Sequence, residues 1–140
     1  MFTAFCKNAL VPVLLRLALA VIFIYHGLSM VGSEGTEWGA RWNKTEGAPA
    51  APVQLAVAWG ELIGGIALAV GFLTRLASLG IIAIMAGAIA TVHWPHGFDI
   101  QKGGFEYNFA IISMCLCLVL GGPGPFAVDR FFRFKRKTTT

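Results

Sequence analysis

Long apolar runs separated by short polar segments dominate the pattern of this chain. The four runs cover approximately residues 9–31, 53–72, 76–92 and 106–121. An α-helix rises 1.5 Å per residue, so about 20 apolar residues cross a bilayer core of about 30 Å. The pattern predicts an all-α fold, a transmembrane four-helix bundle that forms a single domain over residues 1–140.

Composition supports a membrane protein. Hydrophobic residues make up 56% of the 140 residues and charged residues 13%, whereas soluble domains carry about 25% charged residues. The net charge of +4 is better explained by membrane topology than by nucleic acid, so no nucleic-acid partner is expected.

The basic residues near the ends of the runs are divided unevenly between the two sides of the predicted bundle. The side that carries both termini holds Lys7, Arg75, Arg130, Arg133, Lys135, Arg136 and Lys137. The other side holds Arg41, Lys44 and Lys102. Because positive charge concentrates in the cytoplasm, both termini are predicted to be cytoplasmic in a multi-pass protein of the plasma (inner) membrane. The basic tail is expected to lie on anionic lipid.

Three ionisable residues interrupt the apolar runs, namely Arg16, His26 and Glu61. Such groups face the interior of a bundle, because burial in lipid is costly. Arg16 and Glu61 are predicted to form a structural polar pair between the first two helices. The alternative is that Glu61 handles protons or a polar head group.

Small residues also recur at helical spacing. Gly60 and Gly64 form a G-x-x-x-G motif, which allows close helix packing. A second stripe comprises Gly80, Ala83, Gly87 and Ala90, and both stripes are predicted to be packing seams. In the last run, a polar-to-small stripe of Glu106, Ala110, Ser113 and Cys117 is predicted to point inward.

The segment TVHWPHGFDI brings two imidazoles, His93 and His96, to the outer end of the third run. The predicted topology places His26, Asp99 and Glu106 near the same surface. Imidazole exchanges protons near neutral pH, so the candidate catalytic residues are His26, His93, His96 and Glu106.

Aromatic residues adjoin these histidines, and Trp94, Phe98 and Tyr107 are predicted to bind a cofactor ring. A quinone needs such an aromatic slot with hydrogen-bond donors at its carbonyl oxygens. A metal is the rival interpretation, but Pro95 disturbs the geometry of the two histidines and their spacing is no zinc signature, so no metal is predicted. The third interpretation is that the histidines only cap the helix at the lipid interface.

The chain has three cysteines, Cys6, Cys115 and Cys117. Cys115 and Cys117 lie about 200° apart on a helix, so no disulfide between them is expected. The sequence contains no flavin, haem or iron–sulfur motif, so the chain is expected either to need a partner protein for electron transfer or only to bind the quinone, which is the expected cofactor.

Three segments, LRLALAVIFIYHGL, GELIGGIALAVGFLTRLASL and TVHWPHGFDIQKGGFEYNFAI, resemble the DoxX family of small four-helix membrane proteins. The resemblance runs from about residue 15 to residue 129. Its pattern corresponds here to Arg16, His26, Gly27, Glu61, Gly64, Gly65, Thr74, Arg75, His93, Trp94, Pro95, Gly97, Phe98, Gly103, Gly104, Glu106 and Tyr107. The Trp38 and Trp42 loop departs from it and is a candidate partner interface.

The resemblance implies a role in a membrane redox system, since the family is similar to the membrane subunit of a thiosulfate:quinone oxidoreductase. The expected function is a subunit with an outer-side site for a quinone or another small molecule. The alternatives are a non-catalytic scaffold of a larger membrane complex and a small-molecule or lipid transporter. The expected partners are membrane lipids and either other membrane subunits or further copies of the chain.

Overall fold

The computed structural model describes residues 9–32 and 37–130. Four apolar helices make up most of this part of the chain, and no strand occurs in it. They are α1 (Val11–Gly32), α2 (Ala51–Val70), α3 (Thr74–Ala88) and α4 (Glu106–Gly121). The predicted all-helical fold is therefore confirmed. The basic tail, Lys7 and Cys6 lie outside the described residues.

Three helical segments are long and apolar enough to cross a membrane. They are α1 with 22 residues, α2 with 20, and the 23-residue segment Thr74–His96, which begins with α3. The fourth helix, α4, has 16 residues, which gives a length of about 24 Å. It is apolar but shorter than the other three.

The connection between α2 and α3 is a tight turn with two residues in the left-handed conformation. Gly71 ends α2 with φ 70°, a conformation that glycine adopts without strain. Leu73 follows with φ 47°. The Asp129 carboxylate accepts hydrogen bonds from the backbone N–H groups of Leu73 and Thr74, at 2.6 and 2.9 Å. A distant side chain therefore caps the start of α3.

Helices α1 and α2 pack antiparallel with almost no space between their backbones. A Cβ built at Gly27 would lie 2.6 Å from the Leu62 nitrogen, and one built at Gly65 would lie 2.8 Å from the Ile24 nitrogen. Gly27 lies level with Leu62, and Ile24 lies level with Gly65. Residue numbers therefore rise along α1 in the direction in which they fall along α2, so the two helices are antiparallel. These glycines fix the register of the pair.

Side chains from all four helices form the core. The fully buried ones include Leu19, Phe23, Leu68, Ile81, Ile111, Cys115 and Leu118. Helix α1 packs most extensively on α2, and α3 packs most extensively on α4. The bundle is thus two tightly packed helix pairs that share one core.

Two sequence predictions about helix faces are wrong. The stripe on α3 faces outward, since a Cβ built at Gly80 or Gly87 would have no atom within 4 Å. The polar-to-small stripe on α4 is also exposed, and the buried face of α4 is formed by Asn108, Ile111, Cys115 and Leu118. Ser113 tolerates an outward position because its hydroxyl donates to the Phe109 carbonyl oxygen at 2.9 Å.

The bundle has two distinct ends. We call the end that contains the start of α1, the end of α2 and residues 122–130 the terminal end. The opposite end contains the end of α1, the start of α2 and residues 89–106, and we call it the loop end. Arg16 lies at the terminal end and Glu61 lies towards the loop end.

Candidate functional site

At the terminal end, Arg16 is 3% exposed, and its partners among the described residues are all backbone carbonyl oxygens. Its guanidinium donates to the oxygens of Leu68 at 2.9 Å, Ala69 at 3.1 Å, Pro123 at 2.8 Å and Phe126 at 2.8 Å. Two of these carbonyls end α2 and two follow α4. The arginine therefore joins the first two helices to the segment after the last one.

The predicted ion pair between Arg16 and Glu61 is wrong. A Cβ built at Gly71 would lie 2.7 Å from the Arg16 guanidinium carbon, whereas Glu61 adjoins Leu62, the residue level with Gly27. Ten residues of α2 separate Glu61 from Gly71, a distance of about 15 Å along the helix. The register set by the glycines thus holds the two charged residues in different halves of the bundle.

Glu61 instead faces a cavity of about 360 Å³ at the loop end, between the two helix pairs. The lining comes from all four helices and from the loop before α4. It comprises Ile22, Phe23, His26, Glu61, Met85, Ala88, His93, Ile100, Gly103, Gly104, Tyr107, Asn108 and Ile111. Five of these residues are polar, and the side chains around them are largely apolar.

The polar lining residues lie at two depths. Glu61 and Asn108, each 5% exposed, form the floor together with the half-buried His93, whereas His26 and Tyr107 are exposed and form the rim. In the described part of the chain, no cation and no hydrogen-bond donor pairs with the Glu61 carboxyl group. A carboxyl group without a partner at the floor of a cavity is available to a ligand.

A change of helix type directs His93 to the cavity. After α3 the chain makes a π-helical turn over Ile89–His93 and then a 3₁₀ turn over Trp94–His96. A π turn accommodates an extra residue and so changes which side chain faces the bundle. The ring of His93 is fixed by a 2.7 Å hydrogen bond from Nδ1–H to the Gly103 carbonyl oxygen.

The loop before α4 covers the cavity, and backbone hydrogen bonds within the loop hold it in a compact conformation. The N–H groups of Gly104, Phe105 and Glu106 donate to the carbonyl oxygens of Asp99, Gly97 and Phe98 at 2.9, 3.0 and 2.9 Å, respectively. A Cβ on Gly104 would collide with this backbone, including the Gly97 oxygen. Glycine is therefore required where the loop approaches itself, and this packing holds Gly103 beside His93.

The second buried polar group, Asn108, is anchored by a neighbouring helix. Its side-chain nitrogen donates to the Met85 sulfur at 3.4 Å. This contact joins α4 to α3, and no described residue donates a hydrogen bond to the amide oxygen of Asn108, which lines the cavity. Sequence reasoning missed Asn108, although it is the polar member of the face that continues with Ile111, Cys115 and Leu118.

Three of the predicted site residues line the cavity, namely His26, His93 and Tyr107. His96 and Glu106 do not line it and stabilise the loop instead. His96 donates from Nδ1–H to the Val92 oxygen at 3.0 Å, and the Glu106 carboxylate accepts from the Ile100 N–H at 3.2 Å. Two of the three histidines named from the sequence thus line the cavity, whereas the third belongs to the loop.

The remaining predicted aromatics form a separate exposed cluster. Trp94 stacks on Phe105 with ring centroids 5.8 Å apart, and Phe98 meets the same ring edge-on at 5.4 Å. Trp94 and Phe98 are outside the cavity lining. Within residues 9–32 and 37–130, no group of three or more His, Cys, Asp or Glu residues is arranged to hold a metal ion.

These features define a helical membrane protein with an apolar cavity whose floor is polar. The DoxX family model matches residues 11–94, so the chain belongs to the DoxX family, as the sequence motifs predicted. The chain is also similar to "Putative oxidoreductase CatD" of Bacillus subtilis (strain 168), with 33% identity over 125 residues that cover 89% of this chain and 87% of the relative. No solved structure matches the chain significantly.

Proposed function

We propose that this protein is a membrane subunit of a redox system and that its cavity binds the ring of a quinone or a similar small molecule. The buried Glu61 carboxyl, open to a cavity that it shares with two imidazoles, is the observation that carries the proposal. The similarity to a relative named as an oxidoreductase supports the redox assignment.

The residues of the cavity fit a quinone ring. Phe23, Met85 and Ile111 supply apolar walls for the ring, and Tyr107 and His26 supply hydrogen-bond donors at the rim. When bound, a quinone supplies a carrier of both electrons and protons. A partner protein is the expected source or acceptor of the electrons.

The protein's own side chains would bind the ring and hold protons. The hydrogen bond from His93 Nδ1–H leaves Nε2 as the nitrogen that can take up a proton, and Glu61 offers a carboxyl group at the floor. His96 and Glu106, also predicted to be catalytic, contribute by folding the loop. Trp94 and Phe98 would anchor that loop in the lipid interface, where aromatic residues concentrate.

The proposed placement in the membrane follows from charge. We propose that all four helices cross the plasma membrane with both termini in the cytoplasm. Arg75 and Arg130 lie at the terminal end, in agreement with that orientation, and Lys102 lies at the loop end. The cavity would then open near the outer surface.

The outward-facing stripe of α3 favours a second candidate function, that of a scaffold. Gly80 and Gly87 leave the backbone of α3 uncovered on this face, and such surfaces allow a second transmembrane helix to approach closely. The occupant would be another membrane subunit or a second copy of this chain.

Quinone binding to the purified protein tests the primary proposal. The probe is ubiquinol-1, the reduced form of ubiquinone-1, and binding to protein in detergent is followed by titration calorimetry without oxygen. His93→Ala is expected to weaken binding at least tenfold, because Nε2 of His93 no longer accepts a hydrogen bond from a ring hydroxyl. The matched control is His96→Ala, which removes an imidazole with an equivalent backbone hydrogen bond outside the cavity and is expected to change affinity less than twofold.

Equal losses in the two variants would contradict the placement of the ring in this cavity. Absence of ubiquinol-1 binding to the wild-type protein would contradict the ring site itself. Co-purification within a larger membrane complex, together with that absence, would instead support the scaffold function.

A further inference from the structure

The hydrogen-bonding groups at the floor of the cavity are mainly acceptors, and this bears on which ligand the cavity prefers. His93 shows this most directly. The carbonyl oxygen of Gly103 can only accept, so the 2.7 Å contact assigns the proton to Nδ1. A neutral imidazole with a proton on Nδ1 has a lone pair on Nε2, which is therefore an acceptor.

Asn108 presents an acceptor for a similar reason. The thioether sulfur of Met85 can only accept, so the atom 3.4 Å from it is the amide nitrogen. The amide oxygen has no donor within bonding distance among the described residues. Since Asn108 is 5% exposed, that oxygen depends on a ligand or water for a hydrogen bond.

Glu61 is the third acceptor at the floor. As a carboxylate it has two accepting oxygens, whereas as a neutral acid it has one accepting carbonyl oxygen and one donating O–H group. It is 5% exposed, and no described donor satisfies it. The donors of the site, Tyr107 and one nitrogen of His26, lie at the rim.

From this distribution we infer that the cavity selects the reduced, dihydroxy form of its ring ligand over the oxidised quinone. The inference rests on the proposed function and specifies the ligand of that same site. The oxygens of a quinone only accept hydrogen bonds, so they leave the acceptors at the floor unpaired, and a buried acceptor without a partner is costly. The two hydroxyl groups of the reduced ring donate to those acceptors.

The selection also positions the hydroxyl protons. A ring hydroxyl at the floor would donate to Glu61 or to Nε2 of His93, which are the titratable groups of the buried and half-buried lining. The residues that select the reduced ring are thus the residues that can take its protons. Electron transfer from the ring is left to the partner system.

Durohydroquinone, its dimethyl ether and duroquinone test this inference, because they share a fully substituted ring that does not add thiols. Their binding to the wild-type protein in detergent is compared by titration calorimetry without oxygen. We expect durohydroquinone to bind at least tenfold more tightly than the other two. The ether retains the ring and its oxygens but has no donor, so it isolates the contribution of the hydroxyl protons.

Two variants remove acceptors from the floor by different means. Glu61→Gln replaces a carboxyl oxygen with an N–H donor, and Asn108→Leu removes the amide with little change in volume. Each is expected to reduce the preference for durohydroquinone over duroquinone to about threefold or less. His96→Ala is the control and should leave the preference unchanged, and circular dichroism with size-exclusion chromatography checks that each variant is folded.

The outcomes separate the two proposals. Duroquinone that binds as tightly as durohydroquinone would overturn the selection but leave the ring site in place. A preference that persists in both Glu61→Gln and Asn108→Leu would overturn the assignment to these acceptors. If none of the three rings binds, both the selection and the proposed function fail.

Discussion

At the scale of single residues, two charged side chains within apolar helices are accommodated in opposite ways. Arg16 is satisfied by four backbone carbonyls, whereas Glu61 faces a cavity, and no residue in the described part of the chain pairs with it. The arginine therefore has a structural role, and the glutamate is free to serve a ligand.

Replacement of Arg16 should be strongly destabilising. Arg16→Met keeps an unbranched apolar stem but leaves four carbonyl oxygens without their donor. Hydrogen bonds to a charged group contribute about 1.5–3 kcal/mol each, so a loss of about 3 kcal/mol or more in the free energy of unfolding is expected. Thermal unfolding in detergent measures it.

The matched control is Arg41→Met. Arg41 pairs with Glu37 at 3.4 Å, but its side chain is 63% exposed, so the change should cost less than about 1 kcal/mol. The ion pair predicted from the sequence would make replacement of Glu61 destabilising, because Arg16 would lose its partner. Because no such pair exists, Glu61→Gln should unfold within a few degrees of the wild-type protein, and a large decrease would contradict this account of Glu61.

Residue-scale chemistry was predictable only in part. The sequence indicated that Arg16 and Glu61 belong inside the bundle, because exposure to lipid is costly. His26, for which the same was expected, lies exposed at the rim of the cavity. It could not show the partners of Arg16, since backbone carbonyls occur at every position and have no sequence signature. The sequence therefore pointed to Glu61, a charged residue, as the partner of Arg16, and that prediction was wrong.

At the scale of elements, glycines set the relation between α1 and α2. Gly27 and Gly65 are the points where one helix backbone meets the other. Their positions determine which turn of α2 faces the space beside His26, and that turn carries Glu61. Helix register thus decides which polar residues form the site.

Substitution of these glycines should separate the helices. Gly27→Ala and Gly65→Ala place a methyl group against backbone atoms that cannot move aside, and overpacking of this kind costs about 1–3 kcal/mol. Gly80→Ala and Gly87→Ala are matched controls, since a methyl group there meets no atom within 4 Å. Thermal unfolding of the four variants in detergent should separate the two pairs, and similar melting of all four would contradict the register described here.

Element boundaries were partly predictable from the sequence. Apolar runs located α1, α2, α3 and α4 to within a few residues, but they did not indicate which face of each helix is buried. In an apolar solvent the outside of a bundle is as hydrophobic as its core, so the usual signal that separates inside from outside is weak. The π turn that directs His93 inward has no recognisable pattern either.

At the scale of the whole molecule, the two ends of the bundle differ: the terminal end is closed, and the loop end contains the cavity. Residues 122–130 close the terminal end through Arg16 and Asp129. The cavity lies at the other end, covered by the loop before α4. One end thus maintains the fold while the other remains available to a ligand.

Cysteine labelling tests the proposed orientation of the bundle. In a background without native cysteines, Lys102→Cys should react with a membrane-impermeant maleimide in intact cells, because we place the loop end outside. Arg130→Cys should react only after the membrane is opened. The reverse pattern would contradict cytoplasmic termini, and reaction of both in intact cells would contradict an even number of crossings.

The carbonyl partners of Arg16 have a consequence for biosynthesis. Two of them lie 107 and 110 residues further along the chain, so α1 enters the membrane long before they have been translated. Until then the newly inserted helix carries a guanidinium that lacks these acceptors. A chain that ends before Pro123 never acquires them, so an error late in synthesis leaves a buried cation short of two acceptors in the very first helix.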